Sequence, residues 1–401
     1  MRICGIILAL LLCAVNFSTP MRTVRSLPNA IFAENNNELN AETTDLYEQF
    51  GMGAVSASYT GDETLSSGSI NINVLGFITL RSIPAYVGER AWLHPGGNAI
   101  GITIYTQGVL VVGNGSFTNS AGKKCNPSQE AGIKPGDVII SVEGTAVNTS
   151  EELQVALNAN QFGASIQIDR NGKRMEIYIV PEVASDGTAR IGAWVRDSTV
   201  GIGTLSFYEE DTKVTTALGH AVIDADTGRI ITVGSGEMRY ARVLGVVKGT
   251  AGIPGEIQGT FSSASIRIGS IDGNGELGIF GSGDGDINVL TENNAVPVAF
   301  PNEVKTGDAY ILSDIDGNGP KQYSCRILKA AKQSKPGQKG LVIEITDERL
   351  LSTTGGIVQG MSGSPILMDG FLVGVVTHVF VNDPTKGYGV YAYWMYQNAV
   401  G

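Results

Sequence analysis

The sequence predicts a mainly β protein of two domains behind an export segment. Three observations carry this expectation. At 401 residues the chain is long enough for two hydrophobic cores. Its 53 glycines are nearly twice the ordinary share of about 7%, which suits many short strands and tight turns. Helical periodicity is nearly absent from Ile191 onward. There, apolar runs of strand length are separated by Gly, Asp and Asn turns, as in a barrel or sandwich. The net charge of −11 argues against nucleic acid as a partner and against a polybasic grip on anionic lipid.

Residues 1–20 form a targeting segment. Arg2 precedes an apolar run from Ile3 to Phe17. The run has the length of a secretory core and is short for a span of about 20 residues, so a signal peptide or an N-terminal membrane anchor is expected. Leu12 stands before Cys13 where lipidation would need a small residue. Residues 21–82 are a linker and an N-terminal β segment. Residues 34 to about 68 are polar and weakly patterned, which reads as linker, and Ile70 to Ile83 alternates as a strand.

Residues 83–182 are more coherent. Ala99–Ile104 and Gly108–Val112 predict a hairpin, and Ala131-Gly132-Ile133-Lys134-Pro135-Gly136-Asp137-Val138-Ile139-Ile140 is a turn feeding a strand. Ser150 is placed to cap a short helix over Glu151–Asn158. Asn171-Gly172 closes a hairpin between Ser165–Asp169 and Arg174–Val180. Residues 183–401 read as the second, all-β domain. Outside the export segment only Cys125 and Cys325 remain, which permits one disulfide without requiring it.

The motif with most chemical content is Gly360-Met361-Ser362-Gly363-Ser364-Pro365. Glycines on both sides of a serine, closed by proline, build a turn that exposes a hydroxyl and leaves backbone N–H groups free beside it. That is what a nucleophile with an oxyanion hole requires. The same pattern also fits a plain Gly/Ser surface turn. Ser364, next to the proline, is the weaker candidate.

A serine hydroxyl needs a base, and only three histidines exist. His94 sits beside Pro95-Gly96-Gly97 as a loop residue. His378 ends the strand after the serine turn, either lining a substrate cleft or simply partly buried. His220, in Ala217-Leu218-Gly219-His220-Ala221-Val222, is the preferred base. Asp347 closes the strand Leu341–Thr346 and is the preferred orienting acid. Asp224, Asp226, Asp308 and Asp314 lie in turns where solvated aspartates are usual. Asp314-Ile315-Asp316-Gly317-Asn318-Gly319 imitates the start of a calcium loop, but its twelfth position is Cys325 rather than a glutamate. This loop and Asp272-Gly273-Asn274-Gly275-Glu276 read as turns. No metal and no cofactor is expected.

Two resemblances follow from these motifs. The Ala131–Ile140 signature resembles a PDZ domain of the bacterial protease type. This implies peptide-end binding at Ala99, Ile100, Gly101 and Ile102, or a domain that packs only on its own chain as a regulator. His220, Asp347 and Ser362 in that order, behind a PDZ domain and an export segment, resemble the SpoIVB peptidase family, the stage IV sporulation protein B serine peptidases. The parts that carry this are Thr354–Pro365 and Ala217–Val222.

The resemblance implies a chymotrypsin-like double β-barrel, with Ser362 as nucleophile, His220 as base and Asp347 as its orienter. The N–H groups of Gly360 and Ser362 would form the oxyanion hole. It also implies export across the forespore inner membrane into the intermembrane space, self-cleavage, and cutting of a membrane-bound regulator of an intramembrane protease that matures a mother-cell sigma factor. The alternatives are a non-catalytic PDZ adaptor and a broad quality-control protease.

Overall fold

The computed structural model describes residues 27–50, 55–60, 67–74, 78–284, 287 and 294–401. The targeting segment lies outside them. The first unit is a small sheet. Strand β1 (Ile31–Ala33) is followed by helix α1 (Asn36–Phe50), β2 (Val55–Thr60), β3 (Ser67–Val74) and β4 (Ile78–Val87), in the order β1-β4-β3-β2. Part of the expected linker is therefore a helix. The Asn35 side chain accepts from the Glu38 N–H at 3.0 Å and opens it, and Leu39 and Leu46 bury one stripe against Ile70, Ile72 and Ile83. The single strand expected over Ile70–Ile83 is instead parts of the antiparallel pair β3 and β4.

Strand β5 runs unbroken from Ala99 to Asn114, so the predicted hairpin does not form. The polar Thr106-Gln107-Gly108 is a kink rather than a turn, with Gly108 at φ 85°. The strands that follow are β6 (Val138–Val142), helix α2 (Ser150–Ala159), β7 (Ala164–Arg170), β8 (Lys173–Ile179) and the long β9 (Ala193–Tyr208). α2 begins one residue earlier than expected. Thr149 is its cap, accepting from Glu152 N–H at 3.1 Å while the Glu152 carboxylate takes the Thr149 N–H at 3.3 Å. Asn171 and Gly172, at φ 57° and 78°, make the β7–β8 turn as predicted.

Strands β5 and β9 pair along nearly their whole length, and a break divides them. Arg196 faces Leu110, but Ser198 faces Tyr105. Beyond the break on one side, Val109 and Val111 join Ile139, Ile166 and Leu153 in one core. On the other side, β5 and β9 enter a barrel with β10 (Val214–Ala217), β11 (Val233–Tyr240), β12 (Arg267–Ser270) and β13 (Gly278–Ser282). The pairings run β5-β9-β10-β13 and β5-β11-β12, and a Gly269–Gly283 bridge closes the ring. Ile100, Ile102, Ile104, Leu205, Met238 and Ile279 fill it. The PDZ-like unit thus continues the first barrel through two shared strands.

The second barrel is closed, in the order β14 (Gly307–Ser313), β15 (Lys321–Ala330), β16 (Leu341–Ile345), β19 (Asp383–Tyr391), β18 (Phe371–Phe380) and β17 (Pro365–Met368). Helix α3 (Glu348–Thr354) follows β16 and α4 (Ala392–Val400) ends the chain. The core includes Ile311, Cys325, Ile343, Ile366, Val375 and Val390. The mainly β, double-barrel architecture is as expected.

Cys125 and Cys325 are both buried free thiols, and burial pushes Cys325 up to about 12. Neither should react with a disulfide reagent in the native state, and both should react once denaturant unfolds the chain. Stoichiometric native-state labelling of Cys325 would contradict its place in the barrel core.

Candidate active site

The serine turn is built where the two barrels meet. Gly360 and Gly363 have φ of 94° and 104°, a left-handed backbone that side chains avoid. At Gly363 a Cβ would collide with the Thr204 carbonyl and lie 2.8 Å from the Leu218 nitrogen. The turn is clamped by Thr204 of β9. Its N–H donates to the Ser362 carbonyl at 3.0 Å and its hydroxyl to the Gly360 carbonyl at 2.6 Å. The N–H groups of Met361, Gly363 and Ser364 are taken by Val358, Val376 and Met361 carbonyls. Those of Gly360 and Ser362 have no partner among the described residues, as donors reserved for a ligand would.

Ser362 is half-buried, whereas Ser364 is fully buried with its hydroxyl unpartnered. Of the two serines, only Ser362 is open to a substrate. Its Oγ donates to the Thr377 carbonyl at 2.6 Å.

His220 comes from the loop after β10. Leu218 and Gly219 there are both left-handed, at φ 72° and 70°. For a leucine this costs on the order of 1 kcal/mol, the kind of strain found at functional turns. Leu218 N–H reaches back to the Thr204 carbonyl at 3.4 Å, so the same residue joins the histidine loop to the serine turn. Asn274 holds the far side of the loop. Its Oδ1 accepts from Val222 N–H at 2.8 Å, and its Nδ2 donates to the Val222 and Ile231 carbonyls. Imidazole Nδ1 lies 2.9 Å from the Ala221 carbonyl. A carbonyl can only accept, so Nδ1 carries the proton and Nε2 is free to act as a base. Burial lowers the His220 pKa below its usual 6.5.

Among the described residues Asp347 makes no hydrogen bond or ion pair with this histidine. It is the cap of α3, and both carboxylate oxygens are occupied. Oδ1 accepts from the N–H groups of Arg349 and Leu350 at 3.0 and 3.2 Å. Oδ2 takes Arg349 Nη2 at 2.8 Å and Ser324 N–H at 3.3 Å. The Arg349 contact, with these backbone bonds, holds its pKa at about 2. A strand-end aspartate followed by Glu348-Arg349-Leu350-Leu351 is a helix start, so the carboxylate expected to orient His220 also caps α3. Two of the turn aspartates are held in their own loops, though Asp314 Oδ2 is buried without a partner. Asp224 is bound by Arg196 and the Thr227 N–H and hydroxyl, and Asp314 accepts from the Asp316 and Gly317 N–H groups.

Ala99, Ile100, Gly101 and Ile102 do not form a peptide-end loop. They lie inside the barrel portion of β5, paired to β9 on one side, and Ile100 to Ile102 are also paired to β11 on the other. Their ladder positions are already filled. His94 lies on a short strand, Trp92–Pro95, paired beside Tyr208 of β9. Thr204 and Asn274 escaped the sequence reading. Each looks like an ordinary strand or turn residue, and no local signal shows what it reaches across the fold.

A half-buried serine in a turn with two unpartnered amides, and a half-buried histidine on the loop bonded to the same strand residue as that turn, lie next to a PDZ-like unit. The chain belongs to the SpoIVB peptidase S55 family, whose pattern matches residues 187–396, and a PDZ domain pattern matches residues 107–180.

Curated relatives include proteins named as zinc metalloproteases from Brucella suis and Brucella melitensis. Each is 29% identical over 111 residues, or 26% of this chain. The chain spans only 28% of their length. Among solved structures, a Mycobacterium tuberculosis protease in its active form is similar at 16% identity and a TM-score of 0.27, covering 50% of this chain and 72% of that one. An HtrA-type protease with a decapeptide is similar at 12% identity and a TM-score of 0.28, covering 51% and 53%.

Two replacements at Asp347 separate cap from catalyst. Asn caps about as well as Asp, so Asp347→Asn should keep peptidase activity within about threefold. Asp347→Ala should cost about 1 kcal/mol of stability in a denaturant melt. If Asp347→Asn lost about a thousandfold in kcat/KM with an unchanged melt, the carboxylate would be catalytic after all.

Proposed function

We propose that this chain is a signalling serine endopeptidase of sporulation, with Ser362 as nucleophile and His220 as general base. The observation that carries the catalytic part is the double reach of Thr204, which fixes the Ser362 turn and the His220 loop to one strand residue. Ser362 Oγ attacks the scissile carbonyl carbon while its proton passes to His220 Nε2. The developing oxyanion is taken by the N–H groups of Gly360 and Ser362. The C–N bond then breaks, His220 returns the proton to the leaving amine, and water repeats the sequence on the acyl-enzyme. Before attack, the hydroxyl must leave the Thr377 carbonyl. A substrate strand laid along β18 supplies the N–H that replaces it.

Membership of the SpoIVB family supports the sporulation part of this reading. In it, the protein is exported across the forespore inner membrane, cleaves itself, and cuts a membrane-bound regulator, releasing intramembrane processing of a mother-cell sigma factor precursor. Among the described residues no helix is long and apolar enough to cross a membrane.

The PDZ unit contributes a groove. Residues Ala193–Arg196 of β9 pair with β5 on one edge only, and the other edge looks toward Leu153, Gln154 and Leu157 of α2. An extended chain end adds to that edge as a strand. The non-catalytic adaptor stays as a second reading because the Ser362 hydroxyl rests on the Thr377 carbonyl and, among the described residues, no carboxylate is hydrogen-bonded to His220.

Purified chain with and without Ser362→Ala decides between them. The wild type should fragment itself near its N-terminal segment and take up a fluorophosphonate at Ser362, and Ser362→Ala should do neither. Equal fragmentation of both, with no labelling, favours the adaptor.

Acid dependence gives a second check. Because burial lowers the His220 pKa, the base stays unprotonated to lower pH than a free imidazole. The acid limb of kcat/KM should therefore fall below the usual 6.5. A limb well above 6.5 would mean that a carboxylate or other anion stabilises the imidazolium.

A further inference from the structure

The loop that carries His220 is closed by a buried charge. Asp224 follows the histidine in that loop, and its side chain is wholly out of solvent. Its Oδ1 accepts from the Asp226 and Thr227 N–H groups at 3.1 and 2.8 Å and from the Thr227 hydroxyl at 2.8 Å. One oxygen therefore builds the turn. A short ladder leads from that turn back toward the histidine. Asp224 N–H donates to the Arg229 carbonyl at 2.8 Å, and Ile231 N–H to the Val222 carbonyl at 3.2 Å. The other oxygen, Oδ2, meets the Arg196 guanidinium, whose Nη2 also reaches Asp226 at 2.7 Å.

Arg196 comes from a distant part of the chain. It is the last residue of the open edge Ala193–Arg196 in the PDZ unit, just before the register of β9 breaks. From the other side, Arg229 of the loop donates to the Gly136 carbonyl in the turn before β6. Apolar packing does little at this junction. Ile223 and Ile230 at the loop tip are 55% and 46% exposed. A cavity of about 270 Å³ lies between Arg229–Thr232 and Leu110, Val138 and Ile140.

We propose that Arg196 is a positioning residue for the peptidase reaction, presented by the open edge of the PDZ unit to keep the His220 loop closed. This rests on Ser362 and His220 being nucleophile and base. A carboxylate with neither water nor a cation beside it is costly to keep buried. Without Arg196, Asp224 must reach water, and it does so only by opening the turn that its own Oδ1 holds. Opening runs down the ladder to Val222, beside Ala221 and the histidine, and the base loses its fixed place. Arg196 acts on the backbone of the loop, and the orientation of the imidazole is left to other groups. The place of the base is thereby tied to the PDZ edge through a side chain, in addition to the hold of Thr204 on Leu218.

The test is fluorophosphonate labelling at Ser362 in the full chain, resolved into a maximal rate and a half-saturating concentration. Amide hydrogen exchange is followed at Asp226 and Thr227 in parallel. Arg196→Ala should lower the maximal rate by about tenfold or more and change the half-saturating concentration by less than about threefold. It should also speed exchange at both amides. Asp224→Asn removes the charge but keeps an Oδ1 for the turn. Added to Arg196→Ala, it should bring the rate back to within about threefold of the wild type and restore slow exchange. Arg196→Lys keeps a cation on Asp224 without the second prong and should fall between the wild type and Arg196→Ala.

Two outcomes would overturn the proposal. One is Arg196→Ala labelling at the wild-type rate. The other is a double variant that stays slow although its thermal melt matches that of the wild type. Where Arg196→Ala does not fold, an unchanged rate and unchanged exchange in Arg196→Lys overturn it instead. Failure of the underlying site assignment looks different, since the wild type itself would then not label at Ser362.

Discussion

The site depends on Thr204. Its N–H, hydroxyl and carbonyl reach the Ser362 carbonyl, the Gly360 carbonyl and the Leu218 N–H in turn. In this double barrel the proposed base, His220, comes from one barrel and the proposed nucleophile, Ser362, from the other. Rigid-body play between barrels would separate them. A single strand residue that bonds both loops removes that play, and the loops need not touch each other extensively. The left-handed pair Leu218-Gly219 and the left-handed Gly360 and Gly363 are what allow two loops to approach one peptide so closely.

The backbone arrangement leaves no room for a side chain at Gly363. A Cβ at Gly363 meets a fixed carbonyl rather than the flexible end of a side chain, so nothing nearby can yield. Ser364 shows the complementary point. Its hydroxyl is sealed into the barrel without a partner, a cost that a reactive group would not survive and a structural one can.

The sequence made the local chemistry legible and left its long-range part hidden. Ser362 and His220 stand out as candidates because a Gly-flanked serine turn and a scarce residue type are local facts. The β architecture was visible in turn spacing, and the Asn171-Gly172 hairpin in a dipeptide. Asp347 has a double reading in the sequence, because a carboxylate at a strand end and a carboxylate at a helix start have the same local appearance, and only the N–H groups of Arg349 and Leu350 show that it caps α3. Ala99–Ile102 misled for a related reason. An apolar Gly-containing run suits both a carboxylate-binding loop and a barrel strand, and the choice is made by β9 and β11, far away in the chain. Thr204 and Asn274 carry no local signal at all.

Strand β9 joins these levels. Its first residues, Ala193–Arg196, form the open edge in the PDZ unit, and eight residues beyond Arg196 its Thr204 grips the nucleophile turn. Two packed units that share a paired strand cannot rotate freely about a linker, so an interdomain hinge of the usual kind is excluded here. The coupling is also limited, because the register breaks between Arg196 and Ser198 opposite the Gly108 kink. Any chain bound at the edge can favour one arrangement of the nucleophile turn only to the extent that it binds that arrangement more tightly. The break sets how much of that preference reaches Thr204.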